Sequence, residues 1–92
     1  MNLSGKKILI TGGSTGIGRA AAIFCAQKGA TVAIIDKNIN DGDITVKTIN
    51  DQGGKSKFFS TDVSVESSVE RSVQESKDFL GSIDGLICSA GI

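Results

Sequence analysis

Short apolar runs rich in β-branched residues alternate along this chain with longer segments whose apolar positions recur every three or four residues. "KKILIT" (6–11) and "TVAIID" (31–36) are apolar without alternation, the pattern of strands covered by helices on both faces. Between them Ile17, Ala20, Ala21, Phe24 and Cys25 return at helical spacing, which predicts a helix over 17–28 with Gly29 as a left-handed stop. A second helix is expected over 40–52. Ile44, Val46 and Ile49 give it a loose stripe, Gly42 weakens its start and Gly53-Gly54 ends it. "KSKFFSTDV" (55–63) holds a third strand. Ser64 is then expected to cap a helix carrying Val65, Val69, Val73 and Leu80 along one side, with Glu66 at the positive end of its dipole. "DGLICSAG" (84–91) reads as a fourth strand. Strands alternating with helices in the order βαβαβαβ imply right-handed crossovers and a parallel sheet in a three-layer α/β arrangement.

Composition narrows the classes. Ninety-two residues suffice for one domain, 1–92, and not for two. A chain of this size buries well under three-quarters of its unfolded surface, so its stability is expected to be marginal unless something else covers its apolar faces. Ten basic residues balance ten acidic ones, which gives no electrostatic case for nucleic acid or an anionic membrane. No apolar run approaches a membrane span, and "MNLSGKK" lacks the apolar centre of a secretory signal, so a cytoplasmic protein is expected. Cys25 and Cys88 lie in apolar stretches without CxxC spacing and are expected to be buried, unpaired thiols. With no His in the chain, a metal site is not expected; with no Tyr either, no phenol or imidazole is available as a proton carrier.

The glycines of "ITGGSTGIG" are the informative feature. Gly12 stands where the chain leaves the first strand and must turn sharply. Gly16 has no Cβ, so a diphosphate can approach the main chain, and a side chain at Gly18 would push helix and strand apart. The first N–H groups of the helix point at the bound anion, and Ser14 and Thr15 add hydroxyl donors. Other readings fit less well. A P-loop needs Lys-Ser/Thr where Arg19-Ala20 stands. A methionine-adenosyl turn would want an acid near Thr11, and a purely structural turn has no need of so many glycines. Asp36 ends the second strand twenty residues beyond Gly16, placed to accept from adenosine ribose hydroxyls or, more blandly, to cap a turn. Its carboxylate disfavours a 2′-phosphate and so favours NAD over NADP, a preference softened by Lys37, whose ammonium is able to pair with that phosphate.

These residues resemble the short-chain dehydrogenase/reductase family. "TGGSTGIG" (11–18) matches its TGxxxGxG turn, followed in family order by "IID", "TDVS" (61–64) and "IDGLICSAG" (83–91). The resemblance implies a Rossmann-type fold with strand order 3-2-1-4. It places Gly12, Ser14, Thr15, Gly16, Ile17 and Gly18 around the diphosphate and nearby ribose, and Asp36 on the adenosine ribose. Asp62 and Val63 would line the adenine pocket, unless Asp62 is simply an exposed turn residue before a helix, with Ala90 and Gly91 facing the cofactor at the end of strand four. Cys88 and Ser89 replace the family's paired asparagines, with Ser89 making part of the same hydrogen bonding over a shorter reach. The family's catalytic Ser, Tyr, Lys and later Asn all follow that strand, so the resemblance implies a cofactor-binding portion that ends after strand four and holds no catalytic residue. Its fourth strand would then be an open apolar edge suited to self-association. The competing expectation is a non-catalytic nucleotide-binding or partner-docking module.

Overall fold

The computed structural model describes residues 2–12, 16–62 and 64–89. Four strands and three helices follow one another as β1 (Lys7–Thr11), α1 (Gly16–Gln27), β2 (Thr31–Asp36), α2 (Ile39–Asp51), β3 (Lys55–Ser60), α3 (Glu66–Leu80) and β4 (Gly85–Cys88). All pairings are parallel and the strand order is β3-β2-β1-β4, as expected.

The apolar strands are divided residue by residue between two faces. Ile8, Ile10, Val32 and Ile34 pack with Ala22, Cys25 and Ala26 of α1 and Ile49 of α2. Leu9, Ala33, Ile35 and Phe59 pack with Leu80 of α3. Unbroken β-branched runs therefore mark strands buried on both sides, which makes this a three-layer Rossmann-like α/β sandwich.

The helices sit differently from the simplest reading of their stripes. In α1 the buried positions are Gly18, Ala22, Cys25 and Ala26, whereas Ile17 is 75% and Phe24 45% exposed. Gly18 dictates this rotation. A Cβ there would stand 2.0 Å from the Gly12 carbonyl oxygen, so only a glycine can face the strand exit, and small residues follow it along the sheet. Phe24 is left at the rim with the Lys28 ammonium 5.5 Å from its ring centre.

The α2 helix begins at Ile39, capped by the Asn38 side chain, which accepts from the Asp41 N–H. Gly42 has a packing reason to be there: it is buried against Phe58, whose ring atom Cε1 would lie 2.2 Å from an added Cβ. Thr45 rather than Ile44 faces inward, with its hydroxyl on the Asp41 carbonyl.

Three further expectations are corrected. Ser64 does not cap α3. Val65 holds the cap position without a side-chain bond, because the Ser64 hydroxyl and N–H are both committed to Asp62. The buried face of α3 runs through Ser72, Ser76 and Leu80, with Thr61 hydrogen-bonded to Ser72, and Val65 stays exposed. Cys25 is buried as expected, but Cys88 is exposed, since β4 lies at the end of the sheet.

Candidate functional site

Parallel pairing brings the carboxyl ends of all four strands to one edge: Thr11, Asp36, Ser60 and Cys88. Every candidate residue within the described segments lies along that edge or in the turn after it. Ser14, Thr15, Val63, Ala90 and Gly91 lie outside the described residues.

Gly12 leaves β1 with φ +76°, a left-handed conformation, and its N–H donates to the Ile35 carbonyl at 2.7 Å. Gly16 opens α1 at φ +55°, and an added Cβ would meet nothing within 4 Å. Gly18 is the opposite case, jammed between Gly12 and Ser89. The amino end of α1 thus carries one glycine that leaves its outer surface bare and another that lets the helix seat against β1. Ile17, between them, projects outward.

Ser89 joins the exits of β1 and β4. Its N–H donates to the Thr11 carbonyl, and its hydroxyl lies 2.9 Å from both the Thr11 and Gly12 carbonyl oxygens. A serine reaches these carbonyls because it sits directly beside them; the longer asparagine of the family pattern is not required for this bond. Ser89 supports the glycine turn from beneath.

On the other side of the turn, Asp36 ends β2 half-buried. Its Oδ1 accepts from the Lys37 N–H at 2.6 Å, while its backbone carbonyl accepts from Thr61 at 2.8 Å. Asp62 follows β3 and accepts from the Ser64 hydroxyl at 2.6 Å and the Ser64 N–H at 3.0 Å. The Ser64 hydroxyl, then its N–H, and lastly the Lys37 charge hold the Asp62 carboxyl below its ordinary 3.8, so it is ionised near neutral pH. Lys37, exposed, follows Asp36 directly in the chain, and its charge also acts on Asp62.

Sequence reasoning passed over Arg19. It lies in the first turn of α1, where the helix dipole disfavours a cation, and that misfit was the available signal. Its Nε donates to Thr45 Oγ1 at 3.0 Å and its Nη2 stands 3.6 Å from Asp41 Oδ1. Among the described residues no cluster of three or more metal-ligating side chains occurs. The thiol of Cys25 is raised by burial and stays protonated. Shallow depressions lined by Lys7, Thr31, Gly54 and Lys55 lie at the amino ends of the strands, away from this edge.

Comparison with known proteins identifies the arrangement. The family model described as short chain dehydrogenase matches residues 6–92. An uncharacterized oxidoreductase of Thermotoga maritima is 40% identical over all 92 residues, which make up 36% of its own length. The crystal structure of a hydroxysteroid dehydrogenase from Escherichia coli superposes with a TM-score of 0.93 at 32% identity, covering 99% of this chain and 39% of that one. An NAD+-bound xylitol dehydrogenase structure matches with a TM-score of 0.88 at 28% identity, over 94% of this chain and 33% of the other. The chain thus spans little more than a third of the length of these relatives. No helix among the described residues is long and apolar enough to cross a membrane. On the family match over 6–92 and the superposed four-stranded sheet, the chain belongs to the short chain dehydrogenase family, whose members bind nicotinamide dinucleotides.

Proposed function

We propose that residues 1–92 form the cofactor-binding portion of an oxidoreductase that moves a hydride between a nicotinamide dinucleotide and an alcohol or carbonyl substrate, with NAD preferred to NADP. One observation carries this reading: Gly16 leaves the amino end of α1 bare at the carboxyl edge of the sheet, while Gly18 seats the same helix against β1. Unpaired N–H groups at a helix start favour an anion, and a bare main chain lets that anion come close. The residues fit the group. Gly12, Gly16, Ile17 and Gly18, with Ser14 and Thr15 of the same turn, would hold the diphosphate, and Asp36 the adenosine ribose. Asp62 and Val63 would border the adenine, with Ser89, Ala90 and Gly91 at the exit of β4. When bound, the nicotinamide ring gives or takes the hydride; these residues bind and orient its adenosine diphosphate end. The chain holds no Tyr and no His, and no catalytic residue is assigned to it.

The preference for NAD rests on the charge of Asp36, opposed in part by the exposed Lys37. Calorimetric titration should show saturable NAD binding at one site, with NADP weaker. Asp36→Ser should lower the NAD-to-NADP affinity ratio by about tenfold, the size of one charged hydrogen bond. No heat with NAD, or an unchanged ratio in the variant, would count against the respective part of the proposal.

A second reading is favoured by β4, which lies at the sheet end with Leu86 60% exposed. An apolar edge strand pairs readily with another copy of itself. Sedimentation velocity should show a dimer that Leu86→Lys converts to monomer; a monomeric parent at high concentration would dispose of this reading.

A further inference from the structure

We propose that the amino edge of the sheet, at the opposite end from the glycine turn, carries a second binding site, one for a phosphate or phosphomonoester dianion. The first residues of three strands stand in register there: Lys7 of β1 beside Thr31 of β2, and Thr31 beside Lys55 of β3. Registered neighbours in a parallel sheet point to one face. This row shares the face of Leu9, Ala33 and Phe59, the side covered by α3. Neighbouring strands lie about 4.8 Å apart, so the two lysines leave the backbone about 10 Å from each other with a hydroxyl between them. Two depressions, of about 460 and 260 Å³, both have Lys7, Thr31 and Lys55 in their linings, and Phe79 near the end of α3 also lines the larger.

The fold leaves the charges of this row unmatched. Among the described residues neither ammonium has an ion-pair partner, and the Thr31 hydroxyl makes no hydrogen bond. Asp51, at the end of α2, is paired with Lys47 at 2.9 Å. Asp84 accepts from the Lys7 N–H at 2.8 Å, on the β4 side of β1 and so away from Thr31 and Lys55. All three helices end at this edge, and lysines near helix ends offset the partial negative charge of the last carbonyls. That offset needs positive charge but no alignment. A small dianion needs two cations and a donor that converge on one spot, and the register of the sheet fixes their spacing before any ligand arrives. Phosphate oxygens then accept charge-assisted hydrogen bonds from both ammoniums and a further one from the hydroxyl.

NMR reads the two ends of the sheet separately. Titration of the whole chain with inorganic phosphate, at ionic strength held constant with sodium chloride, should shift the Thr31, Gly54 and Lys55 amides saturably, with a Kd on the order of 1–10 mM. Lys55→Met, at an exposed position, should weaken this binding about fivefold or more, and Lys7→Met likewise. Should Lys7→Met fail to fold, Lys7→Gln keeps a polar side chain there and carries the same expectation. Lys6→Met removes an equal charge from the preceding residue, which lines neither depression, and should leave the Kd within about twofold of the parent's. Gly16→Val, altered at the far edge, should leave the amino-edge shifts unchanged. Shifts that grow in proportion to phosphate without saturating would overturn the proposal, as would equal weakening in Lys6→Met and Lys55→Met. So would saturable shifts confined to the Gly16 and Gly18 amides, which would support the cofactor reading while removing this second site.

Discussion

Gly18→Ala should destabilise the chain by about 3 kcal/mol, the upper range for forcing an atom into a filled site, and urea denaturation followed by circular dichroism should show it as a large fall in midpoint. The added methyl carbon would stand 2.0 Å from the Gly12 carbonyl oxygen, 2.8 Å from its carbon and 2.5 Å from Ser89 Oγ. Real carbon contacts never come that close, so something must move. The serine hydroxyl is able to rotate away, at the cost of its bonds to the Thr11 and Gly12 carbonyls. The Gly12 carbonyl has no such freedom, because its residue is fixed at φ +76° and its N–H is bonded to Ile35. Relief must come from shifting α1 off the sheet, which opens the packing of Ala22, Cys25 and Ala26 against Ile8, Ile10 and Ile34. Domains of this kind have only about 5–15 kcal/mol of stability in total, so the loss is severe. Ser89→Ala in the Gly18→Ala background should rescue little, since the carbonyl clash remains. A Gly18→Ala midpoint equal to the parent's would show that the helix does not rest on the turn as described.

The same contact explains what the amino-acid pattern hid. The two central strands were legible because a doubly covered strand must be apolar at every position, and Ile8–Ile10 and Val32–Ile35 are, whereas the strand order was implied by the family resemblance. Helix rotation was not. Hydrophobic size draws the eye to Ile17 and Phe24, yet a helix lying close on a sheet at a tight turn presents its smallest residues. In α2 and α3 the buried faces are likewise built on Gly42, Thr45, Ser72 and Ser76, whose hydroxyls are satisfied locally by the Asp41 carbonyl, the Thr61–Ser72 bond and the Ser72 carbonyl. Polar residues that carry their own partners inside defeat any reading based on polarity alone.

Site residues divide in a similar way. The places of Gly12, Gly16, Gly18 and Asp36 were legible because backbone geometry or a strand end accounts for each. Asp62 was legible as a position after β3, but its engagement with Ser64, which leaves Val65 to start the helix, needed coordinates. Arg19 was readable only as an oddity at the positive end of a helix, and its partners lie 22 and 26 residues away, beyond any local pattern. Cys88 looked like a core thiol because its neighbours are apolar; among the described residues it is exposed, on a strand that pairs with β1 alone.

Gly16→Val should abolish most nucleotide affinity while leaving a folded chain. Its Cβ would enter open space, so no packing is lost, but a β-branched residue at φ +55° carries about 1–3 kcal/mol of backbone strain. Gly53 gives the matched control. It has φ +86° and equally open surroundings, and it follows α2 at the amino edge of the sheet, remote from Asp36. Gly53→Val should therefore lower the urea midpoint by a similar amount and leave ADP and NAD binding at the parent's level. Gly16→Val should weaken both ligands about a hundredfold, as expected when isopropyl bulk holds a diphosphate away from roughly two charge-assisted backbone hydrogen bonds. The comparison separates strain from occlusion, since strain alone moves the two variants together. Parent-like affinity in Gly16→Val would mean that the anion does not approach the main chain there, and the turn would have to be understood as architecture alone.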